Sequence, residues 1–260
     1  MRNVLTLYFG LWQLVLASVC FSSNAHADTI YMYADDWCPY NCTPESEKPG
    51  FVIEIGRAIF EEYGHSVVYR RVPWERAIVM ARKGDIHAIV GADQIEAPDF
   101  IFPENEQGVM EYRFYTQKNN PWVYSGLSSL GSQQLGVING YSYSTELDKY
   151  IEETKKSNGV QVVYGVNPLE QNVRKILLGR LSVLVDDASV VSHGLLKLNA
   201  SHLFREAGVL TGYKIYIAFS PNHPKSQHYA EILSVGMDAL RKSGKLQQIM
   251  ESYGLNDWIE

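Results

Sequence analysis

The chain has 260 residues, 46% hydrophobic and 20% charged, with a formal net charge of −6. That length suffices for one large domain or two small lobes with buried cores. The acidic balance and lack of a basic block exclude nucleic acid as an expected partner, and beyond the leader no stretch reaches the roughly 20 apolar residues of a membrane span.

The chain opens like a secretory address. Arg2 supplies a positive charge, Val4 to Val19 is an apolar run, and Ala25-His26-Ala27 fits an A-x-A cleavage site. Residues 1–27 are therefore expected to be a signal peptide cleaved after Ala27, leaving an exported chain that starts at Asp28. Of the three cysteines, Cys38 and Cys42 lie beyond this leader. An even count in an exported protein predicts a disulfide between them, closing a short turn.

Thr29 to Ala34 is rich in β-branched and aromatic residues and reads as the first strand. After the Cys-Pro turn, Pro49-Gly50 opens a helix from Phe51 to about Tyr63, ended by Gly64. His65 to Val72 alternates like a strand. Trp74, Ala77, Ile78 and Ala81 give an i, i+3, i+4, i+7 stripe on a helix that stops at Gly84, and Ile86 to Gly91 is an apolar strand. Pro103 to Gly108 is polar and turn-like, and Tyr112 to Gln117 reads as a strand crossing to a second lobe. Gln134 to Asn139 starts a new series: a helix near Thr145 to Thr154, a strand from Val160 to Tyr164, a helix capped by Asn167 with Pro168 at its first position, and a strand from Leu181 to Val185. Tyr213 to Phe219 returns the chain to the first lobe, and the rest is helical with a break at Gly244.

Two segments echo each other, Met80 to Asp93 and Ile176 to Ala188. In each, a helix ends at a glycine, an apolar strand follows, and the strand runs into small or acidic residues. The order of elements argues for mostly parallel sheets, and ligands of such sheets bind outside the carboxyl ends of the strands.

Together, Trp37-Cys-Pro-Tyr40, Gly50-Phe-Val-Ile-Glu54, Pro73-Trp-Glu-Arg-Ala77, Gly136-Val-Ile-Asn-Gly-Tyr-Ser142 and Val185-Asp-Asp187 resemble the family 3 extracellular solute-binding proteins of ABC transporters. The resemblance covers nearly all of the chain beyond the leader. It implies an α/β fold of the periplasmic binding protein type II kind, two Rossmann-like lobes joined by a two-stranded hinge. Lobe 1 would comprise 28–111 and 214–260, lobe 2 112–213. It further implies a periplasmic, monomeric, non-enzymatic protein. Such a protein captures a small polar solute, an amino acid or a related amine or organic acid, and passes it to a permease in the inner membrane.

Carried over by position, Trp37 and Trp74 fall where family members have aromatic walls, Ser142 where a hydroxyl at a helix start receives a carboxylate, and Asp187 where an acid receives an ammonium, with Asp186 as its one-residue slip. Tyr40 follows the first strand. Asp93 and Gln94 follow the strand ending at Gly91, and Tyr141 adjoins Ser142. All four are ligand candidates, with turn formation or capping as the alternative for Asp93 and Ser142. The family's carboxylate-binding Arg has no counterpart, because no Arg or Lys lies between Lys83 and Arg113. Arg76 is the nearest substitute. The seven histidines are scattered along the sequence, so neither a metal nor any other cofactor is expected. Two alternatives are an enzyme on the same scaffold, dehydratase-like and relying on Glu96, Asp93 or Asp187 as its acid, and a free-standing sensory ligand-binding subunit.

Overall fold

The computed structural model describes residues 27–156 and 159–259. The leader read at 1–27 lies outside this range except for its last residue. The first series is β1 (Thr29–Ala34), α1 (Phe51–Glu62), β2 (Ser66–Arg71), α2 (Trp74–Lys83) and β3 (Ala88–Ala92). Then come β4 (Gly108–Gln117), β5 (Leu135–Ile138), α3 (Thr145–Thr154), β6 (Val160–Val163), α4 (Pro168–Leu177), β7 (Val183–Asp187), α5 (Ala188–Lys197), β8 (Phe204–Phe219), α6 (Ser226–Lys242) and α7 (Lys245–Ser252).

Helix α1 buries Phe51, Val52, Ile55 and Ile59, and α2 buries Trp74, Ala77, Ile78 and Ala81, the stripe its spacing predicts. Gly84 ends α2 in the left-handed conformation, φ 79°, a geometry that costs glycine little.

The eight strands run in the order β2-β1-β3-β8-β4-β7-β5-β6. Within it lie two copies of one unit. β1 pairs in parallel with β2 and β3, and β5 does the same with β6 and β7. Each unit is closed by one antiparallel strand, β8 against β3 and β4 against β7. The sequence echo maps onto these copies, as the end of α2 with β3 and the end of α4 with β7. Strand β8 belongs to both halves: Tyr216 to Phe219 pair with β3, and Phe204 to Ile215 pair with β4.

Three elements depart from expectation. β4 begins at Gly108 rather than Tyr112, and β8 begins at Phe204 rather than Tyr213. Both early segments carry glycines that read as turns, yet each pairs with the later part of the other strand, and two register shifts in the ladder absorb the irregularity. Helix α5 is unread in the sequence, since Val190, Val191 and Gly194 are weak helix formers. Asn167 stands at the start of α4, but its side chain makes no capping hydrogen bond.

The expected disulfide joins Cys38 and Cys42, with Cα atoms 4.5 Å apart. It closes the loop after β1, where Trp37 and Asn41 bridge across the turn. Among the described residues no helix is long and apolar enough to cross a membrane.

Candidate functional site

The carboxyl ends of β1, β3 and β7 converge where the two halves meet. Just past β1 stands Asp35, and just before the disulfide loop stands Trp37. Strand β3 supplies Val90 and Gly91, and the turn after it supplies Glu96. These residues line an inner pocket together with Trp74 at the start of α2, Tyr112 of β4 and Tyr141 after β5. Gly91 has φ 95°, and a Cβ there would lie 3.3 Å from the Trp37 ring. It sits at a bulge in the β3–β8 ladder, so the bulge lets the indole lie against the strand.

Acids and aromatic donors are matched across this pocket. Tyr141 Oη donates to Asp35 Oδ2 at 2.8 Å. The Trp74 Nε1–H donates to Glu96 Oε1 at 2.6 Å, and the Trp37 Nε1–H donates to Asp186 Oδ1 at 3.3 Å. Asp186 Oδ1 also accepts from the Asp187 amide. The other oxygen, Oδ2, is buried without a hydrogen-bond partner. The halves are joined further by the Asp36 amide donating to the Val166 carbonyl at 3.2 Å and by Asn139 Nδ2 donating to Glu75.

Removing these acids from water disfavours their charged forms. Burial raises Asp35 to about 7, against the hydrogen bond from Tyr141. Burial likewise raises Asp186 to about 8, although the Asp187 amide pulls the other way. Glu96 is pushed well above the usual carboxylate range, again by burial first. No Lys, Arg or His lines the inner pocket.

The residues expected from sequence divide into those at the pocket and those behind it. Trp37 and Trp74 line it, each 5% exposed. Tyr141 lines it and meets Trp74 edge to face, with ring centroids 6.5 Å apart. Tyr40 stacks on Trp37 at 4.2 Å and donates its hydroxyl to the Val109 carbonyl, so it braces the wall. Asp93 Oδ1 accepts from the amides of Ile95 and Glu96, forming the turn that carries Glu96. Ser142 donates its hydroxyl to Asp148, while Ser144 caps α3. Asp187 caps α5 through the amides of Ser189 and Val190 and accepts from the Glu111 amide. Gln94 is exposed. Arg76 is exposed and lines the outer mouth, with Glu75, Asn139 and Tyr164.

Asp35 and Tyr112 were not among the sequence candidates. Asp35 directly follows a strand whose carboxyl end faces the cleft, and that position alone is the available signal. The histidines, scattered in sequence, are gathered by the fold: His65, His87, His223 and His228 surround Tyr229. Among the described residues, however, no three His, Cys, Asp or Glu side chains are arranged to hold a metal ion.

The profile of the bacterial extracellular solute-binding proteins, family 3, matches residues 30–256. An L-arginine-binding protein of Pseudomonas aeruginosa is 25% identical over 217 residues, 81% of each chain. Among solved structures, an ABC uptake transporter substrate binding protein from Streptococcus pneumoniae with bound histidine superposes with a TM-score of 0.74 at 17% identity, covering 89% of this chain and 95% of that one. A histidine kinase sensor domain similar to periplasmic binding proteins gives 0.72 at 17% identity, with 88% and 98% covered. Such structural likenesses establish the two-lobed α/β architecture expected from the sequence.

Proposed function

The chain belongs to the bacterial extracellular solute-binding proteins of family 3, and from that premise we propose that it is a periplasmic protein that captures a small polar solute, an amino acid or a related amine, between its lobes and passes it to an ABC-type permease in the inner membrane. The observation that carries this reading is the convergence of Trp37, Trp74, Tyr141, Asp35 and Glu96, from both halves of the molecule, on one pocket. The L-arginine-binding relative supports a solute of this kind.

In this reading lobe 1 is 28–111 with 214–260, lobe 2 is 112–213, and β4 and β8 supply the hinge strands. Trp37, Trp74 and Tyr141 wall the solute, and Arg76 stands at the mouth. Tyr40, Asp93, Ser142 and Asp187 hold the site's framework. The leader 1–27 directs export and is cleaved after Ala27, and the protein acts as a monomer without a cofactor.

A thermal-shift screen against amino acids, amines, sugars and small organic acids tests the proposal. A solute at a hundred times its dissociation constant adds about 2.7 kcal/mol of stability, a clear rise in melting temperature. The bound solute should be recovered unchanged after long incubation. A broad panel without any shift would remove the capture reading, and conversion of the solute would replace it with the enzyme alternative.

A further inference from the structure

Resting on that solute-binding reading, we infer that the solute is an organic cation lacking a carboxylate, an amine or guanidine held by Asp35, Glu96 and Asp186 against the faces of Trp37, Trp74 and Tyr141. Three observations lead there.

The first is the charge of the wall. The inner pocket presents Asp35 and Glu96 and no basic side chain, so a ligand carboxylate would find no cation to offset its lost hydration, whereas a ligand cation favours the charged form of both buried carboxyls. The nearest cation around the opening, Arg76, is exposed in the outer mouth.

The second is the state of the donors. Trp37, Trp74 and Tyr141 already give their N–H or O–H groups to Asp186, Glu96 and Asp35. A ligand rich in acceptors finds these three donors spent, whereas a ligand rich in donors finds an unpartnered carboxyl oxygen, Asp186 Oδ2.

The third is an orphan. Asp186 is 1% exposed, and its Oδ2 has no hydrogen-bond partner. Its Oδ1 accepts from the indole of Trp37, a residue that lines the pocket, so the carboxyl stands directly behind the pocket wall. A buried acceptor without a donor is costly, and an ammonium or guanidinium N–H satisfies it. Indole faces favour the same charge, since tryptophan is the strongest cation–π partner among side chains.

Isothermal titration calorimetry on the purified protein with matched pairs isolates the carboxylate: L-arginine against agmatine, and L-lysine against cadaverine. The decarboxylated member of at least one pair should bind roughly tenfold or more tightly than its amino acid, a difference of about 1.4 kcal/mol. Equal or tighter binding of both amino acids overturns the inference. Binding of glutamate, succinate or glucose without either amine also overturns it, but leaves solute capture standing. Silence across all of these and a broad panel overturns both. Asp186→Asn and Glu96→Gln each keep an acceptor for the indole that bonds them. Each should weaken the amine roughly tenfold or more while melting no lower than the wild type. Undiminished binding in either variant that folds counts against the assignment.

Discussion

Asp186 and Asp187 are neighbours with opposite duties. Asp187 turns to cap α5, and Asp186 turns to accept from the Trp37 indole. A strand alternates its side chains, so adjacent residues must face opposite ways. The family resemblance points to one acid of the pair as a site residue, yet every residue of β7 is buried, and a strand buried on both faces gives no alternation from which to read the parity. The pocket carboxyls also set a pH dependence. In the folded protein Asp35 titrates near 7 and Asp186 near 8 because burial disfavours their charge. The unfolded chain releases these protons near the ordinary aspartate value, about 4. Between the two values the folded state holds more protons, so stability falls as pH rises, by at most ~1.4 kcal/mol per pH unit for each carboxyl. Histidines with lowered values, such as His65 and His87, act in the opposite direction, but only below about pH 6.5, where the unfolded chain protonates them. Melting temperature should therefore decline from pH 6.5 to about 8. Asp186→Asn should flatten the decline. A wild-type profile that rises over this interval would contradict the burial argument.

Helix α5 illustrates how an element of weak intrinsic propensity is held. Its first-turn amides are satisfied by Asp187, which also accepts from the Glu111 amide of β4. One carboxylate thus ties the start of α5 to strand β4. Asp187→Ala should cost about 1–3 kcal/mol, from the lost cap and an unpaired amide, read as a lower urea midpoint. Asp187→Asn should cost less, because an amide oxygen still caps. An unchanged midpoint in the alanine variant would mean that α5 is fixed by packing alone. Most helices and strands of the two repeated units were legible, since their apolar periodicity is strong and their ends carry glycine or proline. The exceptions have a common origin. Gly208 and Gly212 in β8 look like turns locally, and α5 looks irregular locally, while long-range pairing and one side-chain cap decide both. Of the site, the aromatic walls and the acid pair could be found by their places after strands. Glu96 entered the sequence reading only as an acid for the enzyme alternative, because its approach to Trp74 depends on the turn built by Asp93.

At the scale of the molecule, one close approach between the halves is at Gly140. With φ 82°, it lies so near the start of α2 that a Cβ would come within 3.1 Å of Glu75 Cβ. Gly140→Ala should hold the lobes apart as well as strain the local backbone by about 1–3 kcal/mol. The expected result is a solute affinity lowered more than thermal stability is, and a solution scattering radius that no longer shrinks on adding solute. A variant that closes and binds like the wild type would show that the lobes meet with slack. Closure of this kind works only through tighter binding to the closed form than to the open one. Strand β8 carries a different consequence, in time rather than in space. The chain is made from its N-terminus, and β3 lacks its antiparallel neighbour until Tyr216 to Phe219 have emerged. The central half, from β4 to Ile215 of β8, has all its strands before then. The last unit begun is thus the first that can finish, and the opening unit must wait as an unpaired edge, the kind of exposed template that draws strands from other chains.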